Sequence, residues 1–134
     1  MALVTRATTA SMDASTGMFA PQITGLIAGE ALDVVAPCYI KASDGKVYMS
    51  NGTAATEPAK FHGFTPRAVG IGQPVTLFAL GARFGYGSGL TIGAKYFIGA
   101  TAGRLDTAAT VGDAVGAAFA VTATDIICTR AAGA

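Results

Sequence analysis

Gly85-Tyr-Gly-Ser-Gly-Leu-Thr-Ile-Gly-Ala-Lys-Tyr-Phe-Ile-Gly-Ala-Thr-Ala-Gly-Arg-Leu105 is the stretch whose reading decides the fold. It shows no helical spacing of apolar residues. Glycines cut it into short pieces, and glycine supplies the positive φ that tight turns need. Gly85 to Gly89 reads as a Gly-rich turn, Gly93 as a second turn and Lys95–Ile98 as a short strand. Ala102-Gly103 turns the chain into a return strand starting at Arg104-Leu105. Aromatic and β-branched residues between the turns suit a pleated, half-buried surface. The pattern runs on through Val115–Val121 to the apolar strand Asp125–Thr129.

The same order occurs earlier. Gly25-Leu26-x-x-Gly29 parallels Gly89-Leu90-x-x-Gly93, and Asp44-Gly-Lys-Val47 parallels Ala102-Gly-Arg-Leu105. Phe61–Phe64 matches Val115–Ala118, and Val75–Phe78 answers Asp125–Cys128. Two explanations stand side by side: a pseudo-repeat of a turn-strand unit, or coincidence in a Gly-rich β-protein.

Outward from there, the remaining chain reads as β. Ala31–Ala36 forms a strand stopped by Pro37, and Cys38–Ala42 forms another. Asp44-Gly45 carries the signature of a two-residue hairpin, with Lys46–Ser50 returning. Thr53–Ala59 is a loop, Lys60–Phe64 a strand broken by Gly63, and Val75–Leu80 the clearest strand of the first half. Gly81 to Gly89 reads as a bridge. Thr107–Ala120 is the best helix candidate, yet Gly112 and Gly116 interrupt it and Val111, Val115 and Phe119 favour strand. The expected fold is all-β: a compact sandwich or barrel of short Gly-punctuated strands over 23–134. Residues 1–22 are expected to form an extended N-terminal arm. Leu3, Val4, Met12, Met18 and Phe19 are apolar for a free tail. Either the arm docks on a neighbouring subunit, or it lies as a strand on its own domain.

Composition narrows the function. The 134 residues suit one domain with a real core. Net charge is +1, which gives no field to draw the chain to nucleic acid or an anionic membrane. Charged residues are 13%, against ~25% in ordinary domains. A surface so weakly charged tends to associate. No apolar run is long enough to span a bilayer, and the N-terminus lacks the basic head and apolar block of a signal peptide. The expected compartment is cytoplasmic. Cys38 and Cys128 both lie in apolar runs and read as buried free thiols rather than a bridge.

The search for chemistry finds little. His62, the single histidine, stands between Phe61 and Gly63 with no other ligand type nearby. Metal sites and triads need several such groups together. The acids are scattered singly, although folding can still bring Asp33 and Asp125 together. Asp44 is explained by its turn. Gly70-Ile-Gly72 and Gly85-Tyr-Gly87-Ser-Gly89 lack the following helix and Lys-Ser/Thr of a phosphate loop. Tyr86 and Arg83 offer a weak base-stacking pair. The expectation is therefore no enzyme, no catalytic or metal-binding residue and no cofactor.

Taken together, Gly-Leu-x-x-Gly, Lys95–Gly99, Ala102–Leu105, Val115–Ala118 and the closing Ile126-Ile127 strand resemble the capsid decoration (cement) proteins of tailed bacteriophages. Ile27–Asp33, Asp44–Tyr48 and Gly72–Thr76 also look like that family, so the resemblance covers about residues 23–129. It implies a β-domain that trimerises outside an expanded shell, at or near its threefold positions, and clips capsid subunits together. The partners implied are the major capsid protein and the chain itself, with no direct nucleic acid and no membrane. The location implied is the capsid exterior of the virion, with host cytoplasm during assembly. The arm from Leu3 to Phe19 is expected to supply the neighbour contact, so that deleting 1–20 abolishes capsid binding and leaves the domain folded. A head-fibre base or tail protein is the alternative within the same class. A small ligand-binding β-barrel, with a pocket near His62, Arg83 or Tyr86, is the alternative outside it.

Overall fold

The structure is a computed structural model that describes residues 3–12 and 22–133. Among these residues the chain forms β1 (Arg6–Met12), β2 (Gln22–Ile27), β3 (Pro37–Ile40), β4 (Val47–Met49), β5 (Gly63–Phe64) and β6 (Pro74–Phe78). It continues through β7 (Arg83–Gly87), β8 (Lys95–Ile98), β9 (Leu105–Asp106), β10 (Ala118–Ala120) and β11 (Asp125–Cys128). A single 3-10 turn, Glu57–Ala59, carries Pro58 in its first turn, where the missing N–H costs nothing. The all-β expectation is met, in two antiparallel sheets of which one is a curled half-barrel.

The sheets have strand orders β1-β7-β11-β10-β8-β9 and β2-β6-β5-β3-β4. With β1 set aside, the two orders are the same: β2 to β6 occupy the places of β7 to β11. Register agrees as well. Tyr39 faces Tyr48 and Ile40 faces Val47, as Phe97 faces Asp106 and Ile98 faces Leu105. The shift is constant, from 37 to 95 and from 47 to 105. Main-chain hydrogen bonds repeat with it. Lys41 N–H donates to Lys46 C=O at 2.9 Å, and Gly99 N–H to Arg104 C=O at 2.8 Å. His62 N–H donates to Cys38 C=O at 2.8 Å, and Ala117 N–H to Tyr96 C=O at 2.9 Å. Thr65 N–H to Ala36 C=O and Ala120 N–H to Ala94 C=O are both 3.0 Å. The turn-strand unit is thus a structural repeat in this chain.

The matches read from sequence need adjustment. Asp44–Val47 does lie over Ala102–Leu105, with Gly45 (φ 70°) and Gly103 (φ 74°) at the same place. Leu90, however, corresponds to Leu32 rather than Leu26. Both are buried; the Leu32 N–H donates to Val69 C=O at 2.8 Å, and the Leu90 N–H to Ala123 C=O at 2.9 Å. Phe64 matches Phe119, one residue beyond the sequence match, because the pairing of β5 to β3 and of β10 to β8 sets the register.

Each unit has its own apolar core. Ala28, Leu32, Ala36, Cys38, Val47, Val69, Val75 and Leu77 pack in the first. The second is larger, with Phe84, Tyr86, Leu90, Tyr96, Ile98, Leu105, Ile126 and Cys128. Val34, Val35, Phe61 and Phe64 come from the first unit but pack in the second core. The seam is aromatic: Phe61–Phe64 centroids are 5.1 Å apart, Phe64–Phe84 5.5 Å and Phe78–Phe84 6.4 Å. Burying each such ring contributes roughly 1.5–3 kcal/mol, with further gain from edge-on contacts.

Four readings from sequence are corrected. Ala31–Ala36 is not a strand, because Val34-Val35 forms a turn and Val35 has φ 48°. Pro37 begins β3 instead of stopping a strand. The Asp44-Gly45 loop is longer than two residues: Gly45 N–H and Lys46 C=O both bond Lys41, closing the loop over 41–46. Gly81–Gly89 is not a bridge but contains β7, a strand with neighbours on both sides. Its glycines misled the sequence reading. A Cβ on Gly87 would stand 2.0 Å from the Thr5 carbonyl oxygen, so glycine there lets another strand approach.

Candidate functional site

The side chains that could carry chemistry are engaged within the fold. His62 follows Phe61 into β5, and its Nδ1 accepts the Ile40 N–H at 3.0 Å. That bond needs the neutral ring. Burial lowers the His62 pKa, and the Lys60 charge lowers it further. Asp33 pairs with Arg6 at 3.4 Å and Asp125 with Arg83 at 3.0 Å. Each carboxylate is held by a different arginine, and no acid-base couple forms between them.

Asp113 is buried, a position the sequence reading left unmarked. Its Oδ2 accepts Ile98 N–H at 2.8 Å, and its Oδ1 accepts the N–H groups of Val115 and Gly116 at 3.0 and 2.9 Å. Arg130 lies 3.5 Å from the same oxygen. Asp113 therefore fixes the 110–116 loop against β8. Its one sequence signal is an Asp two and three residues ahead of the N–H groups it binds, the usual mark of an Asx turn. Asp44 works similarly: Oδ1 accepts Lys46 N–H at 2.9 Å and Oδ2 the Tyr48 hydroxyl at 2.6 Å. The Tyr48 hydrogen bond holds the Asp44 carboxyl below its usual pKa.

Tyr86 does not stack on anything from solvent. It is fully buried, and its hydroxyl accepts Leu105 N–H at 3.1 Å. Arg83 is held by Asp125. Two surface hollows of about 350 and 440 Å³ are lined by residues 25–27, 66–67, 69 and 74–76, and by residues 55–57, 59–60, 112, 130 and 133. Neither is lined by His62, Arg83 or Tyr86. Among the described residues no three His, Cys, Asp or Glu side chains converge as metal ligands, and no helix is long and apolar enough to cross a membrane. Cys38 and Cys128 are free buried thiols in different cores. Burial pushes the Cys128 thiol up to about 11 and raises Cys38 as well.

The candidate contact residues of the arm separate. Val4 is 6% exposed inside the second core, and its N–H donates to Leu105 C=O at 3.0 Å. Leu3 bridges Asp106 and keeps 38% of its surface exposed. Met12 ends β1, opposite Phe84. Met18 and Phe19 lie outside the described residues. Arg6–Met12 is thus a strand on its own domain, with Leu3 and Val4 bonded beside β9, the second of the two placements weighed from sequence. Deleting 1–20 would remove a core side chain and the neighbour of β7, so the expectation that the domain survives that deletion intact is replaced.

The most exposed large apolar side chains among the described residues are Ile71, Ile92, Val111 and Val115, each with 70–75% of its surface in water. No protein-family model matches the chain, and no curated protein matches its sequence.

Proposed function

We propose that this chain is a structural virion protein. It binds the outer surface of an expanded tailed-phage capsid and cements it, as homotrimers at threefold or quasi-threefold positions. Its partners are the major capsid protein and further copies of itself. It carries out no catalysis and needs no cofactor.

One observation carries the reading. His62, Asp33, Asp44, Asp113 and Asp125 all serve internal bonds, while exposed aliphatic side chains stand on a surface of low charge. Such a surface suits adhesion and gives little to a substrate. A cement subunit works by repetition: weak apolar and main-chain contacts, multiplied by symmetry, yield strong attachment. The Gly-punctuated unit that resembles decoration proteins is also the unit the fold repeats.

Gradient sedimentation of a lysate from the source culture, with this chain quantified by mass spectrometry, tests the proposal. It should travel with DNA-filled heads in many copies per particle. A few copies per particle would point to a fibre base or tail part. Presence only among slow soluble proteins would overturn the virion reading.

A further inference from the structure

The repeat makes one asymmetry visible. In the second unit, β1 lies along the outer edge of β7, with Met12 opposite Phe84 and Ser11 opposite Gly85. In the first unit, the strand in the place of β7 is β2. No strand among the described residues pairs with β2 on the side away from β6. The other ends of the two sheets are closed in both units. Gly29 N–H donates to Val47 C=O at 2.9 Å, and Val4 N–H donates to Leu105 C=O at 3.0 Å, Val47 and Leu105 being equivalent. Among the described residues two sheet edges are thus left open: β2 from Ile23 to Ile27, and the side of β1 away from β7.

Both open edges carry little of the charge that usually protects an edge strand. Natural edge strands carry lysine, proline or inward charges that deter pairing with another chain. β2 reads Gln-Ile-Thr-Gly-Leu-Ile and holds no charge. β1 reads Arg-Ala-Thr-Thr-Ala-Ser-Met, uncharged after Arg6. Over β2 and its paired neighbour β6 lies the smaller hollow, lined by Leu26, Ile27, Arg67, Val69, Pro74 and Val75 among others. Ile71, 70% exposed, sits next to Gly72, whose N–H binds Ala28 C=O at the end of β2. Gly25, with φ 76°, does bulge β2. A bulge is no bar, since β1 pairs with β7 across a register shift between Arg6 and Ser11.

We propose that β2 is a docking edge for a second copy of this chain, whose β1 pairs with it through its outer side. β2 would then gain the neighbour that β7 already has. The partner is fixed by what covers the equivalent edge in this molecule, which is β1. The contact is main-chain strand addition, with apolar side chains of the partner entering the hollow over β2 and β6. It joins different surfaces of the two copies, so it propagates head to tail, and a rotation of about a third of a turn per copy would close it as a ring. A ring of three is the trimer of the proposed function. The inference rests on the self-association in that reading and not on capsid binding.

The test uses purified full-length protein and sedimentation velocity across a concentration series. Wild type should associate. Thr24→Lys/Ile27→Lys, changed at exposed β2 positions, should stay monomeric with an unchanged thermal midpoint. The variant keeps its own β1 edge, so added to wild type it should cap growing oligomers and shift them to smaller species. Thr24→Lys alone keeps the experiment readable if the double variant loses its fold. A monomeric wild type, a variant that associates like wild type, or a monomeric variant that fails to cap would each overturn the proposal. Copies per particle, measured separately, decide the capsid reading whatever the outcome here.

Discussion

The two units share strand order, register and main-chain bonds, yet they solve one local problem differently. At the turn before the second strand of each unit, β8 and β3, the second unit places Gly93 (φ 82°) and the first places Val35 (φ 48°). A β-branched residue in the left-handed region is strained. Val35 tolerates it because its surroundings over-determine it. Its N–H donates to Thr65 C=O at 3.1 Å, and its side chain is fully buried in the second core. The Thr65 hydroxyl also donates to Asp33 C=O at 2.6 Å and accepts Ala36 N–H at 2.9 Å. Gly93 has open space where a Cβ would stand and gives nothing to a core. Duplicated backbones thus diverge where one copy is asked to hold the two together.

The largest expected effect is at the seam. Phe84→Ala removes the ring that touches both Phe64 and Phe78, and should cost about 3–5 kcal/mol in denaturant unfolding. If the units are coupled through it, both should melt together and earlier. A loss confined to one unit would break the comparison. Next is β1, which among the described residues only the second unit has. Val4→Ala empties part of its core and should cost about 2 kcal/mol, read by the same unfolding curves, with the equivalent edge at Ala28 and Gly29 untouched.

The turn itself gives a smaller pair of effects. Gly93→Ala should cost ~1–2 kcal/mol, the penalty of a Cβ in the left-handed region. Val35→Gly trades lost burial against released strain, and should cost less than a buried valine normally does. Equal penalties at both positions would remove the claimed difference.

The smallest effect concerns pH. His62 has a lowered pKa in the folded state. As pH falls through about 6.5, the unfolded chain takes up a proton before the folded one does. Stability should therefore decline below that pH until the folded ring also protonates, and level off beneath it. His62→Gln should flatten this slope in thermal melts.

Much of this architecture was legible in the sequence because glycine marks turns. Gly45 and Gly103 gave the repeat its correct anchor, and Lys95–Ile98 was placed to the residue. What stayed hidden has physical causes. β7 was masked by Gly85 and Gly87; Gly87 admits the chain at Thr5, a long-range contact that no local pattern records. Val35 was misread because tertiary packing overrides its strand preference. Asp113 looked like one more scattered acid until β8 was folded beside it. At the arm, the apolar character of Leu3 and Val4 was visible but its destination was not.

Amide hydrogen exchange on β2 and β7, in dilute protein and in the assembled form, tests most directly whether one unit is closed within the chain and the other left open. The β7 amides should be protected in both states. Along β2, the amides facing away from β6 should exchange fast when dilute and become protected on assembly. Equal protection of both strands in the dilute monomer, or no change along β2 on assembly, would contradict this difference between the units.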